Sequence, residues 1–213
     1  MAELRFNISM SLDGFVAGPN QSVETPLGEG GEALHDWVLG LAAWRKPHGL
    51  EGGEVNASTE VMERSIENIG AIVMGRNMFG GEGAWGDDPW DGWWGDDPPF
   101  HAPVFIVTHH PHEPVTKEGG TSYTFVTDGI ESALEQARSA AAGKDVGLSG
   151  GANIAQQYLS AGLIDEMEIH LVPIFLGGGA RLFDNLAGAA IGLECTGVVD
   201  APGVTHLTYR VRK

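Results

Sequence analysis

The sequence predicts an α/β fold, with a mostly parallel central sheet, helices on both faces and an antiparallel hairpin at the C-terminal end. Two observations predict it. Short apolar runs rich in β-branched residues alternate with stretches of helical periodicity, the signature of strand–helix–strand units. The last twenty or so residues instead alternate around Asp200-Ala201-Pro202-Gly203, as a hairpin does. With 213 residues, 42% of them hydrophobic, the chain can bury a core, and without a long linker or solenoid repeat it reads as one domain over 1–213.

The elements follow in order. Leu4–Ser11 alternates apolar and polar residues and forms the first strand. Glu32–Trp44 spaces Leu34, Trp37, Val38, Leu41 and Trp44 as a helix does, and Thr59–Ile69 does the same, with Ser58 or Thr59 as N-cap. Ala71–Gly75, Val104–Thr108 and Tyr123–Val126 are buried strands. Ile130–Ala142 is an Ala-rich helix with Asp128 as its expected cap. Val146–Ser149 is a short strand and Ala152–Ala161 a helix stopped by Gly162. Glu166–Leu176 is a long strand that Pro173 should interrupt, by a bulge or by lying at an edge. Ile191–Val199 and Thr205–Arg212 pair as the closing hairpin.

The charge narrows the function classes. Twelve Lys and Arg stand against 29 Asp and Glu, a formal net charge of −17, and residues 1–106 hold only 5 of the basic residues against 17 acidic ones. Nucleic-acid binding and a basic membrane patch both need clustered cations, so neither partner is expected. An anionic ligand must be held locally, by helix N-termini and a few placed cations. Cys195 is the only cysteine, which excludes an internal disulfide and a cysteine-based zinc site. No secretion signal or apolar run of membrane-spanning length is read, so a cytoplasmic protein is expected.

Three turns suit a phosphate. Ser149-Gly150-Gly151-Ala152-Asn153-Ile154 joins a strand to a helix; paired glycines admit close backbone approach and the helix start points its N–H groups outward. It lacks the G-x-G-x-x-G fingerprint, and a tight turn without ligand is the competing reading. Gly75-Arg76-Asn77 opens a short helix after a strand, and a guanidinium there adds a bidentate fork; a surface arginine paired with an acid is the alternative. Thr108 and His109 follow the third strand, at the end where open α/β sheets bind ligands. His109, His110 and His112 have no carboxylate spaced to join them, so no metal is expected. Asp13, beside Gly14 at the end of the first strand, is either a turn residue or a carboxylate that meets the substrate.

Taken in order, SLDGFVAG (11–18), AIVMGR (71–76), PVFIVTH (103–109), the stretch from Val146 to Phe183 and the terminal hairpin resemble the dihydrofolate reductase-like superfamily. Within it they are most similar to the C-terminal reductase domain of the bifunctional deaminase–reductase of riboflavin biosynthesis, in a stand-alone form, since no deaminase zinc motif is present. The resemblance implies a three-layer fold and an NADPH-dependent oxidoreductase acting on a small heteroaromatic or carbonyl compound. The alternative is an NADPH- or drug-binding protein of the same fold without turnover. It implies that Gly75, Arg76 and Asn77 hold the 2′-phosphate side of NADPH and that Thr108 and His109 lie near the adenosine. Ser149, Gly150, Gly151, Ala152, Asn153 and Ile154 then cradle the pyrophosphate, and Val16 and Ala17 face the nicotinamide. Asp13 is the candidate catalytic residue and, with Phe15, Asp36 and Trp37, the candidate substrate contact. Asn7 and Phe15 stand where the riboflavin enzymes usually carry lysines, and no carboxylate follows a Trp-x-x-Pro loop as in dihydrofolate reductases. A homodimer is implied as well.

One segment fits neither relative. Residues 84–100 (AWGDDPWDGWWGDDPPF) hold four of the six Trp and five Asp without a secondary-structure period. Such a loop is expected either to pack beneath itself and at an interface or to close as a lid over a planar ring.

Overall fold

The computed structural model describes residues 2–80, 92–186 and 190–213. Its elements are β1 (Leu4–Ser11), β2 (Phe15–Ala17), α1 (Asp36–Leu39), α2 (Ala42–Arg45), α3 (Ala57–Ile66), β3 (Ile69–Gly75), α4 (Arg76–Gly80), β4 (Pro103–Val107), β5 (Val115–Thr116) and β6 (Ser122–Val126). They continue with α5 (Ile130–Ala140), β7 (Asp145–Ser149), α6 (Ala152–Ser160), β8 (Glu166–Val172), β9 (Ala180–Arg181), β10 (Leu193–Ala201) and β11 (Val204–Val211). Nine strands form one sheet in the order β10-β11-β8-β1-β7-β3-β4-β6-β5, and β2 and β9 form a separate pair. From β8 across to β6 every pairing is parallel; β10, β11 and β5 are antiparallel. The predicted α/β class, parallel centre and C-terminal hairpin are all present.

One face of the sheet is apolar. Leu4 and Phe6 of β1, Ala71 and Val73 of β3, Val146 and Leu148 of β7, and Met167 and Ile169 of β8 pack against α5 and α6. Both helices carry the matching stripe: Ala133, Leu134 and Ala137 in α5, and Ile154, Ala155, Tyr158 and Leu159 in α6. The Tyr158 hydroxyl donates to the Ile130 carbonyl at 2.6 Å, which keeps this buried phenol satisfied. The opposite face is divided. Over β3, β4 and β6 it is apolar, with Ile72, Met74, Val104, Ile106, Phe79 and Tyr123 in one cluster. Over β1, β8 and β11 it carries rows of polar residues that end in a small apolar cluster of Leu34, Val172 and Val204, and it is covered by α1 and α3.

Several boundaries differ from the sequence reading. The predicted helix over Glu32–Trp44 is instead a 3-10 turn (Gly31–His35) followed by α1 and α2, split where Leu41 is extended. Leu41 is fully buried and bridges to Glu54, and that packing breaks the helix at Gly40. The cap of α3 is Asn56, not Ser58 or Thr59: Asn56 Oδ1 accepts from the Ser58 amide while Thr59 Oγ1 accepts from the Asn56 amide. Asn68, at φ 63°, turns the chain, so Ile69 begins β3 rather than ending the helix. Gly129, at φ 100°, takes the cap position of α5 and Asp128 makes no cap. Pro173 marks neither a bulge nor an edge. Strand β8 lies between β1 and β11, where a residue without N–H cannot serve the ladder, so the strand ends at Val172.

Of the Trp-rich stretch, 84–91 lies outside the described residues. Trp94 donates to the Met78 carbonyl at 3.3 Å and meets Phe100 edge-on, within the second apolar cluster. Among the described residues no helix is long and apolar enough to cross a membrane.

Candidate active site

The three predicted turns lie side by side at the carboxyl edge of the parallel strands. The register pairs Met74 with Ser149 and Gly75 with Val107, so β3, β4 and β7 end together. The turns of β3 and β7 touch through glycine. Gly150 sits at φ 148°, and a Cβ there would come 2.5 Å from Ile154 Cγ2 and 3.3 Å from the Gly75 amide nitrogen. A Cβ on Gly75 would meet Ile154 at 3.3 Å, whereas one on Gly151 would meet nothing within 4 Å. The backbone is therefore tight behind the turn and open in front of it.

Gly151 is the N-cap residue of α6 and no side chain caps this helix. Its first N–H groups and the positive end of its dipole face that opening, an arrangement that suits a phosphate. Asn153 is exposed and accepts from Gln157 at 2.6 Å, whereas Ala152 and Ile154 are buried beneath the turn. Arg76 begins α4, is partly buried, and donates to the Gly80 carbonyl at 2.6 Å. Burial lowers its pKa. Asn77 beside it and His109 are exposed. Thr108 is buried, and its Oγ1 accepts from the His110 amide at 3.1 Å, so this hydroxyl builds the turn rather than facing outward. Among the described residues no group of three or more His, Cys, Asp or Glu is arranged to hold a metal.

The predicted substrate residues separate. Asp13 Oδ1 accepts from Ser11 Oγ at 2.6 Å and from the Leu176 amide, and Oδ2 from the Gly177 amide at 2.8 Å. The Ser11 hydroxyl, with the two amides, holds its carboxyl below the usual range. Asp13 is thus a clamp between the end of β1 and the loop after β8, with spare acceptor capacity on Oδ2. Phe15, Val16 and Ala17 are buried, and the Arg181 guanidinium lies 5.0 Å from the Phe15 ring centre. Asp36 is exposed at the start of α1 and is no substitute for a buried carboxylate. The turn of the helix that exposes Asp36 carries Trp37 inward, where Nε1 donates to Ser9 Oγ at 3.1 Å.

Around Trp37 lies a group of residues that the sequence reading missed. The register sets Asn7 beside Glu168 and Glu168 beside Thr208, then Ser9 beside His170 and His170 beside His206, in two rows across β1, β8 and β11. Glu168 Oε2 accepts from Arg64 Nη2 at 2.8 Å and from Thr208 Oγ1 at 3.0 Å, and Oε1 lies 3.9 Å from His170 Nε2. His170 Nδ1 and His206 Nδ1 are 2.9 Å apart, and His206 Nε2 is 2.9 Å from Ser58 Oγ. Burial, reinforced by the neighbouring His206, His35 and Arg64, pushes His170 down to about 3, and burial lowers His206 as well. Asn7 is exposed although β1 is paired on both sides, so the sheet is open there, between the α1–α3 cover and the apolar cluster over β3. The signal was present: polar residues at every second position of two strands that a parallel sheet would bury.

The profile of the RibD C-terminal domain family matches residues 2–207. Among solved structures, a putative riboflavin biosynthesis protein from Shewanella sp. PV-4 is similar over the whole of both chains, at 23% identity and a TM-score of 0.63. RibD of Acinetobacter baumannii is similar over 100% of this chain and 59% of its own, at 16% identity and a TM-score of 0.58. The riboflavin biosynthesis reductase Rib7 of Saccharomyces cerevisiae is similar over 100% of this chain and 89% of its own, at 14% identity and a TM-score of 0.52. The chain thus spans about three fifths of the Acinetobacter protein, and at these identities the likeness is one of fold. No curated protein sequence matches the chain.

Proposed function

The chain belongs to the RibD C-terminal domain family, and from that premise we propose that it is an NADPH-dependent reductase of a C=N, C=C or C=O bond in a small heteroaromatic or carbonyl compound. The observation that carries the reading is the contact of two βα turns through Gly75 and Gly150, with the uncapped start of α6 opening in front of them. The residues present fit the cofactor. The α6 amides would take the pyrophosphate, and Arg76, with Asn77 and His109 exposed nearby, the phosphorylated ribose.

Bound NADPH supplies a hydride. The protein's own share is position and dryness. The apolar packing behind Ile154 fixes the α6 amides, Asp13 ties the loop after β8 to the end of β1, and the open floor at Asn7 receives the substrate beside Trp37. The absence of lysine at Asn7 and Phe15 weighs against a phosphorylated substrate, although the Arg181 guanidinium stands beside Phe15. Titration of the intrinsic tryptophan fluorescence with NADPH and with NADH tests the cofactor. Saturable NADPH binding that weakens about tenfold in Arg76→Ala is expected, since a charge-assisted contact is lost. No binding of either nucleotide would sink the reading, and NADPH binding without oxidation by any of a panel of acceptors would leave a binding protein.

The reading extends to a homodimer. Strand β10 is an edge strand of nine residues, most of them exposed, with Val198 61% exposed and no charge from Cys195 to Val199. An exposed edge strand with an uncharged run at its centre calls for a cover. Sedimentation at micromolar concentration should give twice the 22.5 kDa chain mass; a monomer would contradict it.

A further inference from the structure

The buried histidine pair has no part in the cofactor edge, yet it joins three elements. His170 comes from β8 and His206 from β11; Ser58, in the first turn of α3, closes the chain at His206 Nε2. Trp37 of α1 lies against both rings, with centroids 4.8 and 4.9 Å away, and reaches Ser9 of β1. The remaining charged or titratable groups facing the pair are Glu168 from β8, Arg64 from α3 and His35 from the turn before α1, itself beside Asp36.

Two neutral imidazoles carry two ring hydrogens, and one of these occupies the Nδ1···Nδ1 bond. A further proton can be taken on an outward-facing Nε2. When both rings are cations, each Nδ1 carries a hydrogen and the bond cannot persist. The Trp37 ring gives a cation some compensation but does not restore a bond between two donors. At 6% and 1% exposure the rings find no water to replace it.

We propose that His170 and His206 are positioning residues for the substrate side of the site: their bonded rings form the seat that holds α3, through Ser58, and Trp37 down on the sheet beside Asn7, and protonation of the pair releases them. The proposal rests on the reading of that open floor as the substrate side. Acid therefore loosens the α1–α3 cover before it loosens β3 and β7, which carry no histidine. Glu168 loses its Arg64 partner when α3 lifts, because Arg64 belongs to α3 whereas Glu168 and Thr208 stay paired on β8 and β11.

Backbone hydrogen exchange read by mass spectrometry, corrected for intrinsic rates, tests this on the whole chain at about pH 7 and about pH 5. Protection over 31–39 and 57–66 is expected to fall at least about tenfold in acid while β3 and β7 keep theirs. In His170→Gln the amide can donate to or accept from His206 Nδ1 and takes no proton, so most of the acid-induced fall should vanish. A wild-type cover that keeps its protection at the lower pH overturns the proposal, and so does a His170→Gln protein that loses it as the wild type does. If His170→Gln is already unprotected at neutral pH, His206→Gln carries the same comparison, and failure of both variants at neutral pH leaves packing alone and overturns the titration. The exchange pattern needs no cofactor, whereas NADPH affinity at neutral pH reports on the reductase reading, so either can fail without the other.

Discussion

A methyl group at Gly150 has nowhere to go: Ile154 and the Gly75 amide already occupy its place, and φ 148° suits no side chain. Gly150→Ala is expected to cost at least about 1 kcal/mol in urea unfolding and to abolish NADPH binding, because the start of α6 must shift. Gly151→Ala, facing open space, should fold normally. Trp37→Phe keeps an aromatic ring between the histidines but leaves Ser9 Oγ without its indole donor, at a cost of about 1 kcal/mol by urea unfolding. Asp13 has a depressed pKa, so its clamp on Leu176 and Gly177 is present above the usual carboxylate range and is lost as pH falls through the folded value. Asp13→Asn should make the loop after β8 more susceptible to proteolysis at neutral pH, where the wild type resists.

Helix α3 depends on its first turn, since Asn56 and Thr59 bond reciprocally there and Ser58 reaches the histidine pair. Asn56→Ala is expected to destabilise the chain by about 1 kcal/mol, measured in the same unfolding assay. The element scale also shows what the sequence could reveal. The strands were legible because Ala71–Met74 and Val104–Ile106 are continuously apolar and buried on both faces. Helices α5 and α6 were legible from their apolar stripes and the stops that follow. The region from Gly31 to His48 was not, because periodic Leu and Trp residues there serve short turns held by a tertiary bridge from Leu41 to Glu54. At the site, the glycine turns announced themselves locally. The polar rows did not, since Glu168, His170 and His206 acquire meaning only once β1, β8 and β11 are neighbours.

For the molecule as a whole, the formal charge of −17 coexists with one edge suited to an anion and one buried basic pair. That pair makes stability pH-dependent in a stated direction. Unfolded histidine takes up a proton near 6.5, while His170 in the fold does so only near about 3. The folded chain therefore binds fewer protons over that interval. This contribution to stability is complete above about pH 7 and is withdrawn as pH falls below about 6.5, by up to about 1.4 kcal/mol per pH unit for each such histidine. Urea midpoints across this range should show the loss, and His170→Gln should reduce its slope while buried His206 and His35 still contribute. The central claim, however, concerns the carboxyl edge of β3, β4 and β7. Hydrogen exchange of the whole chain with and without saturating NADPH tests it most directly: added protection over 75–80, 108–110 and 149–154 is predicted, and protection confined to other segments, or none, would contradict it.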